Sequence, residues 1–472
     1  MTQLNAKTLA AAGQRGAAIP NYDRESLTPS VVHIGLGAFH RAHQAMVFDA
    51  LLSQGDCRWG VLGVAMRSTQ LADALKAQDG LYAVQIASVK GIHWQIPGAL
   101  VDTCVLAREE ATVVQAIAAP STRWVTLTVT EKGYTPELAQ LLVQGLALRQ
   151  QQGLPGLTIA SCDNLSHNGK RLQAACVTAA HVVSAELATW VDQACVFPNS
   201  MVDRIVPAAT PERLQAARDS LGVDDAAALG TEGFWEWVIE DRFVDPSDGP
   251  ALASAGVAVV RDVAPFEEAK LRMLNGSHSA MASMGAVAGL KVICDCISQP
   301  EIKTYVRDMM TDEVAPHLSR PDWADYREAL LQRFANPELK HSVHQIAMDS
   351  SQKIPQRWPP TVALQMQNGA GYEHIAFAAA AWMRYLQGRS EAGVTYALSD
   401  PMAEQLQPLA VAHADDPAAC VKAISAFESV WGKDLPTNAA WQARVAHWLT
   451  QINALGVLKA VASLNQIHAA SK

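Results

Sequence analysis

SVVHIGLGAFHRAHQAMVFDALL, residues 30–52, is the stretch on which the fold turns. Val31 to Ile34 make a short apolar run suited to a buried strand, and the apolar spacing from Ala38 to near Leu52 suits an amphipathic helix. Between them, Gly35 permits a tight turn, and Gly37 lets backbone amides approach a pyrophosphate held at the helix N-terminus. Phe39 and His40 stand where the usual glycine fingerprint has its third glycine, which implies a looser approach of helix to strand. The stretch is therefore predicted to open a dinucleotide-binding α/β domain, with Gly35, Gly37, Ala38, Phe39 and His40 as candidate cofactor contacts. An ordinary glycine turn of an α/β protein is the other reading of the same letters.

Further along, apolar strands are expected at 59–66, 124–130 and 157–164, with helix-like stretches between them. Strands alternating with helices mean a parallel sheet covered on both faces. Extended stretches at 196–210 and 237–243 precede a change of character near residue 262. Beyond it, helical periodicity is expected over 265–290, 299–317, 323–335, 372–388 and 437–464. The fold class is thus α/β: an N-terminal Rossmann-type parallel-sheet domain (29–262), preceded by a polar arm (1–28), and a mainly α-helical C-terminal domain (263–472).

At 472 residues the chain is too long for one hydrophobic core. A net charge of -9 without a long basic run argues against nucleic acid and against an anionic membrane surface. The eight cysteines are scattered without a CxxC pair, as expected of a reduced, cytoplasmic protein. Cys294 and Cys296, two apart, read as small buried hydrophobes, and His33, His40 and His43 lack the spacing of a zinc helix, so no metal is expected. No apolar leader is visible at the N-terminus, and no run reaches the roughly 18 apolar residues of a membrane span. Neither a GxSxG elbow nor a GxxxxGK[ST] loop is present.

The residue that reads the adenosine ribose should follow the second strand. There the chain has Arg67, Ser68, Thr69 and Gln70, with no carboxylate before Asp73. A carboxylate favours NAD through the 2′-hydroxyl, whereas Arg67 suits the 2′-phosphate of NADP, unless it is simply a solvated loop residue. NAD or NADP is the expected cofactor, with NAD the first choice.

KLRMLNGSHS, residues 270–279, sets three polar groups into an otherwise core-like helix. On an α-helix Asn275 and His278 fall about 140° and 80° round from Lys270, so all three share one side, spread over about 12 Å of axis. A lysine in an apolar site against a helix's positive end should have a lowered pKa and take a hydroxyl proton near neutrality. Asn275 can donate to a developing alkoxide, and His278 can orient the substrate oxygen. Read singly, each residue is equally a snorkelling lysine, or an amide or imidazole satisfied by backbone.

Taken in order, HIGLGAFHRAHQA, TVTEKGY, SCDNLSHNGK, FPNSMVDRI, WVIEDRF and PFEEAKLRMLNGSHS resemble the polyol-specific long-chain dehydrogenases, the mannitol dehydrogenase and fructuronate reductase family, over about residues 30–390. The resemblance implies a metal-independent NAD(P)-dependent oxidoreductase. It makes Lys270 the general acid/base, Asn164 and Asn275 the pair polarising the carbonyl oxygen, His278 the positioner of the substrate hydroxyl, and Glu267 the carboxylate gating proton exchange. It implies cofactor contacts at Thr130 and Glu131, and substrate contacts at Asp203, Arg204, Lys353 and Arg357. The segment QIAMDSSQKIPQR is closer to the fructuronate reductase branch, with Gln345 where the mannitol branch tends to have arginine. Ser68, Thr69 and Gln70 replace the acidic residues of mannitol-oxidising members, and the segment after TEKGYTPELAQLL is shorter than in either branch. The expected partner is a small sugar-acid or polyol substrate, and the chain itself a monomer or small homo-oligomer. A mannitol or arabinitol 2-dehydrogenase, and a nucleotide-binding regulator without catalysis, remain as alternatives.

Overall fold

The computed structural model describes residues 2–88, 91–207, 210–339 and 341–471. It divides into two compact units, Met1–Ala264 and Pro265–Lys472. The strands, all in the first unit, are β1 Pro29–Ile34, β2 Gly60–Ala65, β3 Val84–Ser88, β4 Gly91–Gln95, β5 Leu100–Val105, β6 Trp124–Leu127, β7 Thr158–Ser161, β8 Ser200–Asp203, β9 Leu229–Glu232, β10 Glu236–Glu240 and β11 Ala258–Val260.

Five of them form the central sheet in the order β5-β2-β1-β6-β7, every pairing parallel. This is a doubly wound arrangement whose order reverses at β1, so the carboxyl end of β1 is the expected ligand crevice. Side chains alternate between two cores, as a sheet covered on both faces requires. Val31 and Val61 join a cluster with Phe48, Trp59 and Trp124, while Val32, Ile34, Leu62 and Val64 join one with Val125, Leu127 and Ile159. Two three-stranded sheets, β11-β10-β8 and β4-β3-β9, complete the unit.

Two expectations are corrected, and one strand was not anticipated. The segment before β1 is not a separate arm. It includes a helix, Leu9–Gln14, and buries Leu4, Ala12 and Ala17 in a cluster with Leu81, Ile96 and Leu221. The helix expected over 38–52 is two, Ala38–Ala42 and Gln44–Ser53, broken at His43, which has φ -125° and ψ -89°. The edge strand β5 was hidden by exposed Asp102, which interrupts its apolar run.

The second unit is built of helices. Gly276–Ala288 and Glu373–Tyr385 are buried over nearly their whole length, the first through an Ala-, Gly- and Ser-rich sequence of little bulk and the second through apolar residues on nearly every side. The expected helix 437–464 is interrupted by Gly456, at φ +81°, between Ala439–Leu455 and Val457–Ser471. Among the described residues no helix is long and apolar enough to cross a membrane.

Candidate active site

In the first unit the candidate site is the turn leaving β1. Gly35 has φ +104°, and a Cβ placed there would lie 2.2 Å from the Thr128 carbonyl oxygen. The position therefore requires glycine for both conformation and space. Gly35 and Leu36 donate their amides to the Val64 carbonyl at 2.9 and 3.0 Å, which fastens the turn to β2. The Gly35 carbonyl accepts from Thr128 Oγ1 at 2.8 Å and from His33 Nε2 at 3.2 Å. Because a carbonyl only accepts, His33 carries its proton on Nε2, and Nδ1 takes the Thr126 hydroxyl at 2.8 Å.

Gly37 differs in kind. Its backbone is extended, and a Cβ there would find its nearest neighbour, the Gly35 carbonyl oxygen, at 3.6 Å. No protein atom demands a glycine, and the absent side chain leaves open space over the backbone, which fits a pyrophosphate. Arg41, buried, donates from Nε to the Gly37 carbonyl at 3.2 Å and from Nη1 to the Ala227 carbonyl, bracing the loop from behind. Ala38 and Phe39 are half-buried at the start of the helix. His40 is fully buried and stacks on His33 with ring centroids 3.3 Å apart, so only its backbone faces a ligand.

Burial pushes His33 down to about 3, and drives His40 well below its usual range, with His33 and Arg41 adding to the effect. The unfolded chain takes up a proton on each ring near pH 6.5 that the folded chain refuses. These two groups therefore favour the fold fully above about pH 6.5 and progressively less as pH falls toward 3. The expected loss is up to about 2.7 kcal/mol per pH unit within that window, one proton per ring. Urea unfolding at pH 7, 6 and 5 checks it, and a stability that stays level from 7 to 5 contradicts it.

At the carboxyl ends of β6 and β7, buried Asp163 accepts the amides of Val129 and Thr130 at 3.0 and 2.8 Å and the Tyr134 hydroxyl at 2.9 Å. This clamp holds Thr130 at φ 63° and ψ 169°, a conformation that costs a non-glycine residue roughly 1–3 kcal/mol and that persists only where neighbours enforce it. Thr130 is exposed there, and the side chain of Glu131 lies outside the described part of the structure. Asn168 fixes the turn bearing exposed Asn164: its amide donates to the Ser161, Asp163 and Ser200 carbonyls at 3.2, 3.0 and 2.8 Å. Arg67 is exposed after β2.

Asp203 ends β8 and is buried, paired in register with Glu236. Arg204, beside it, is lowered by burial to about 10. Its guanidinium donates to the Glu232 carbonyl at 3.2 and 2.9 Å and to the Ala42 carbonyl, a bracing role inside this unit.

In the second unit the decisive stretch is one continuous helix with an irregular middle: α over Ala264–Ala269, π over Lys270–Asn275, α again over Gly276–Ala288. The expected α geometry is thus corrected. In a π segment hydrogen bonds run from residue i to i+5, so Asn275 closes a turn over Lys270 instead of standing about 140° round from it. Such segments are uncommon and concentrate at functional sites. Glu267 lies one turn before Lys270, and both are half-buried. His278, 7% exposed, packs its ring on Phe334 at 4.7 Å and toward His341 at 6.0 Å. Arg272 pairs with Glu268 at 2.6 Å, an ion pair along the helix.

Donors for the junction come from the helix Ser350–Arg357 and the residue after it. Arg357 Nη1 donates to the Asn275 carbonyl at 3.1 Å and to Ser279 Oγ at 2.6 Å, and Trp358 Nε1 donates to the Gly276 carbonyl at 3.1 Å. Lys353, one turn before Arg357, donates from Nζ to the carbonyls of Met348 and Ile346. Burial lowers Lys353, with Arg357 adding repulsion, and burial lowers Arg357 to about 10. The structure places Lys270, Asn275 and His278 along one helix of the second unit, with Arg357 bonded at its π–α junction and Lys353 one turn before Arg357. Spacing alone did not point to Asp163, Asn168, Arg41 or His33, because each has at least one partner on a strand or turn distant in sequence: Val129 and Thr130, Ser200, Ala227 and Thr126 respectively.

Comparison with known proteins agrees with this geometry. The family profile described as the mannitol dehydrogenase Rossmann domain matches residues 29–248, and that of the mannitol dehydrogenase C-terminal domain matches 262–453. D-mannonate oxidoreductase of Escherichia coli (strain K12) is 38% identical, across 94% of this chain and 97% of that protein. A mannitol 2-dehydrogenase of Aspergillus terreus (strain NIH 2624 / FGSC A1156) is 34% identical, across 97% and 98%. The structure of Pseudomonas fluorescens mannitol 2-dehydrogenase in ternary complex with NAD and D-mannitol superposes with a TM-score of 0.82 at 30% identity, covering 98% of this chain and all of that one. By its sequence, its doubly wound sheet and its helical second unit, the chain belongs to the mannitol dehydrogenase family of oxidoreductases.

Proposed function

We propose that the protein catalyses reversible hydride transfer between a nicotinamide nucleotide and C2 of a linear keto-sugar acid, of the fructuronate/mannonate type. The observation that carries the substrate class is the cationic pair Lys353 and Arg357, one helical turn apart, with Arg357 bonded directly to the Asn275 carbonyl. A uronate has a carboxylate where mannitol has a hydroxymethyl group, and a partly desolvated lysine–arginine pair is a natural receptor for it.

The Gly35–Gly37 turn would hold the pyrophosphate, with Arg67 and Thr130 as further contacts. NAD is the first choice, although Arg67 and the lack of a nearby carboxylate keep NADP open. Bound there, the nicotinamide supplies the hydride donor or acceptor. Lys270 protonates the forming alkoxide during reduction and removes the hydroxyl proton during oxidation. Asn275 donates to the same oxygen, Asn164 is assigned the second amide donor, and His278 orients the hydroxyl. Glu267, a turn away from Lys270, exchanges the lysine's proton with water.

Lys353→Met tests the carboxylate reading. Loss of one hydrogen bond to a charged group costs about 1.5–3 kcal/mol, so kcat/KM on fructuronate should fall roughly 10- to 150-fold, with fructose affected less than about threefold. Equal losses on both substrates contradict the assignment.

A further inference from the structure

Asp308, His374 and His468 come from three separate helices of the second unit, and none belongs to the Lys270 set. Asp308 ends Pro300–Asp308, His374 lies in the first turn of Glu373–Tyr385, and His468 lies near the end of Val457–Ser471. One donor atom from each side chain falls within 4.8 Å of the other two.

His374 is the informative member. Its ring is 1% exposed, and Nε2 is buried with no hydrogen-bond partner. A buried, unsatisfied ring nitrogen is costly unless something occupies it. The other nitrogen, Nδ1, lies 2.8 Å from Glu313 Oε1. That carboxylate also accepts the amides of His374 at 2.6 Å and Ile375 at 2.9 Å, so it is oriented by three donors. A carboxylate in that position accepts, which puts the His374 proton on Nδ1 and leaves on the buried Nε2 a lone pair that a metal ion could take. His468 repeats the pattern: Nε2 lies 2.8 Å from Asp312 Oδ2, leaving Nδ1 to carry the lone pair of the neutral ring. A carboxylate behind each imidazole is the arrangement that fixes tautomer and raises basicity in metal-ligating histidines.

We propose that Asp308, His374 and His468 bind a divalent transition-metal ion of the zinc type, which staples helix Val457–Ser471 to two of the helices it packs on. Two imidazoles and one carboxylate suit zinc better than the hard, oxygen-seeking cations. Zinc bonds of about 2.0–2.2 Å in a tetrahedron place ligand atoms roughly 3.4 Å apart, so the ion draws the three side chains together by about 1.4 Å at their widest. The ion is structural and takes no part in hydride transfer.

The test uses untagged, full-length protein stripped with EDTA and titrated with zinc chloride by calorimetry, with cobalt(II) as a spectroscopic substitute. One equivalent is expected to bind with Kd below about 1 μM, to raise Tm by roughly 5–10 °C, and to give the visible absorption of four-coordinate cobalt. His468→Ala, at a half-buried position that tolerates truncation better than His374, should weaken binding at least 100-fold and abolish the cobalt bands. Asp312→Asn, which only orients His468, should weaken binding about tenfold. Turnover of the stripped enzyme at 25 °C should match that of the zinc-loaded enzyme, which separates this proposal from the fate of the substrate assignment. Absence of stoichiometric binding, or equal affinity in wild type and His468→Ala, overturns it.

Discussion

Lys270→Ala is expected to lower kcat by roughly 10²- to 10⁴-fold, the usual contribution of a positioned acid/base group, while nucleotide affinity stays within about twofold. The expectation rests on where the lysine stands. It opens the π segment Lys270–Asn275, which turns Asn275 back over it, and it lies in a helix whose core-facing residues Met273 and Leu274 are buried. The glycine turn assigned to the nucleotide is formed by residues of the first unit, whereas Lys270 belongs to the second. The loss should therefore fall on turnover and not on binding of the reduced cofactor, which fluorescence titration measures independently. Initial rates across pH supply the second readout. The limb of the kcat profile that reports the essential base should vanish in the variant, and a profile of unchanged shape would remove Lys270 from the proton-transfer role.

The second large effect separates two glycines that look equivalent in the sequence. At Gly35 an added methyl meets the Thr128 carbonyl oxygen at 2.2 Å in a backbone with φ +104°, and because the atom it meets is backbone there is little room to yield. Strain of the left-handed conformation, about 1–2 kcal/mol, and overpacking, about 1–3 kcal/mol, act together, so Gly35→Ala should destabilise the first unit by roughly 2–5 kcal/mol. Calorimetry should show its transition lowered by about 5–15 °C. At Gly37 an added methyl has the Gly35 carbonyl oxygen, at 3.6 Å, as its nearest contact among the described residues beyond its chain neighbours, in an extended backbone. Gly37→Ala should leave the transition within about 2 °C and weaken nucleotide binding about tenfold or more, since the methyl occupies ligand space. A Gly37→Ala protein that binds normally would show that the cofactor does not use this turn.

The contrast shows how much of the molecule was legible. Strands β1, β2, β6 and β7 stood out as apolar runs because a parallel sheet buried on both faces needs apolar side chains on both sides of each strand. Edge strand β5 did not, since Asp102 faces solvent there. Helix Ser350–Arg357 was unreadable for a different reason: it starts after Asp349 at φ 52° and contains Pro355, both of which usually mark breaks. Lys353 and Arg357 therefore came from family resemblance, and only the structure shows Arg357 reaching Asn275. The π segment has no signature in periodicity, because a 100° step is assumed before the wheel is drawn. The roles of Asp163 and Arg41 escaped notice because most of their partners are backbone groups, which every residue has and no pattern marks, and that of His33 because its threonine partners lie on another strand and the turn after it.

Substrate class is the claim most exposed to a single measurement: kcat/KM of the wild-type enzyme on fructuronate and on fructose, each with NADH and with NADPH. A cationic pair at residues 353 and 357 built for a carboxylate gives fructuronate the larger value by at least about tenfold with the preferred cofactor. Clear preference for fructose with either cofactor would contradict the assignment and place the enzyme with the polyol-oxidising branch.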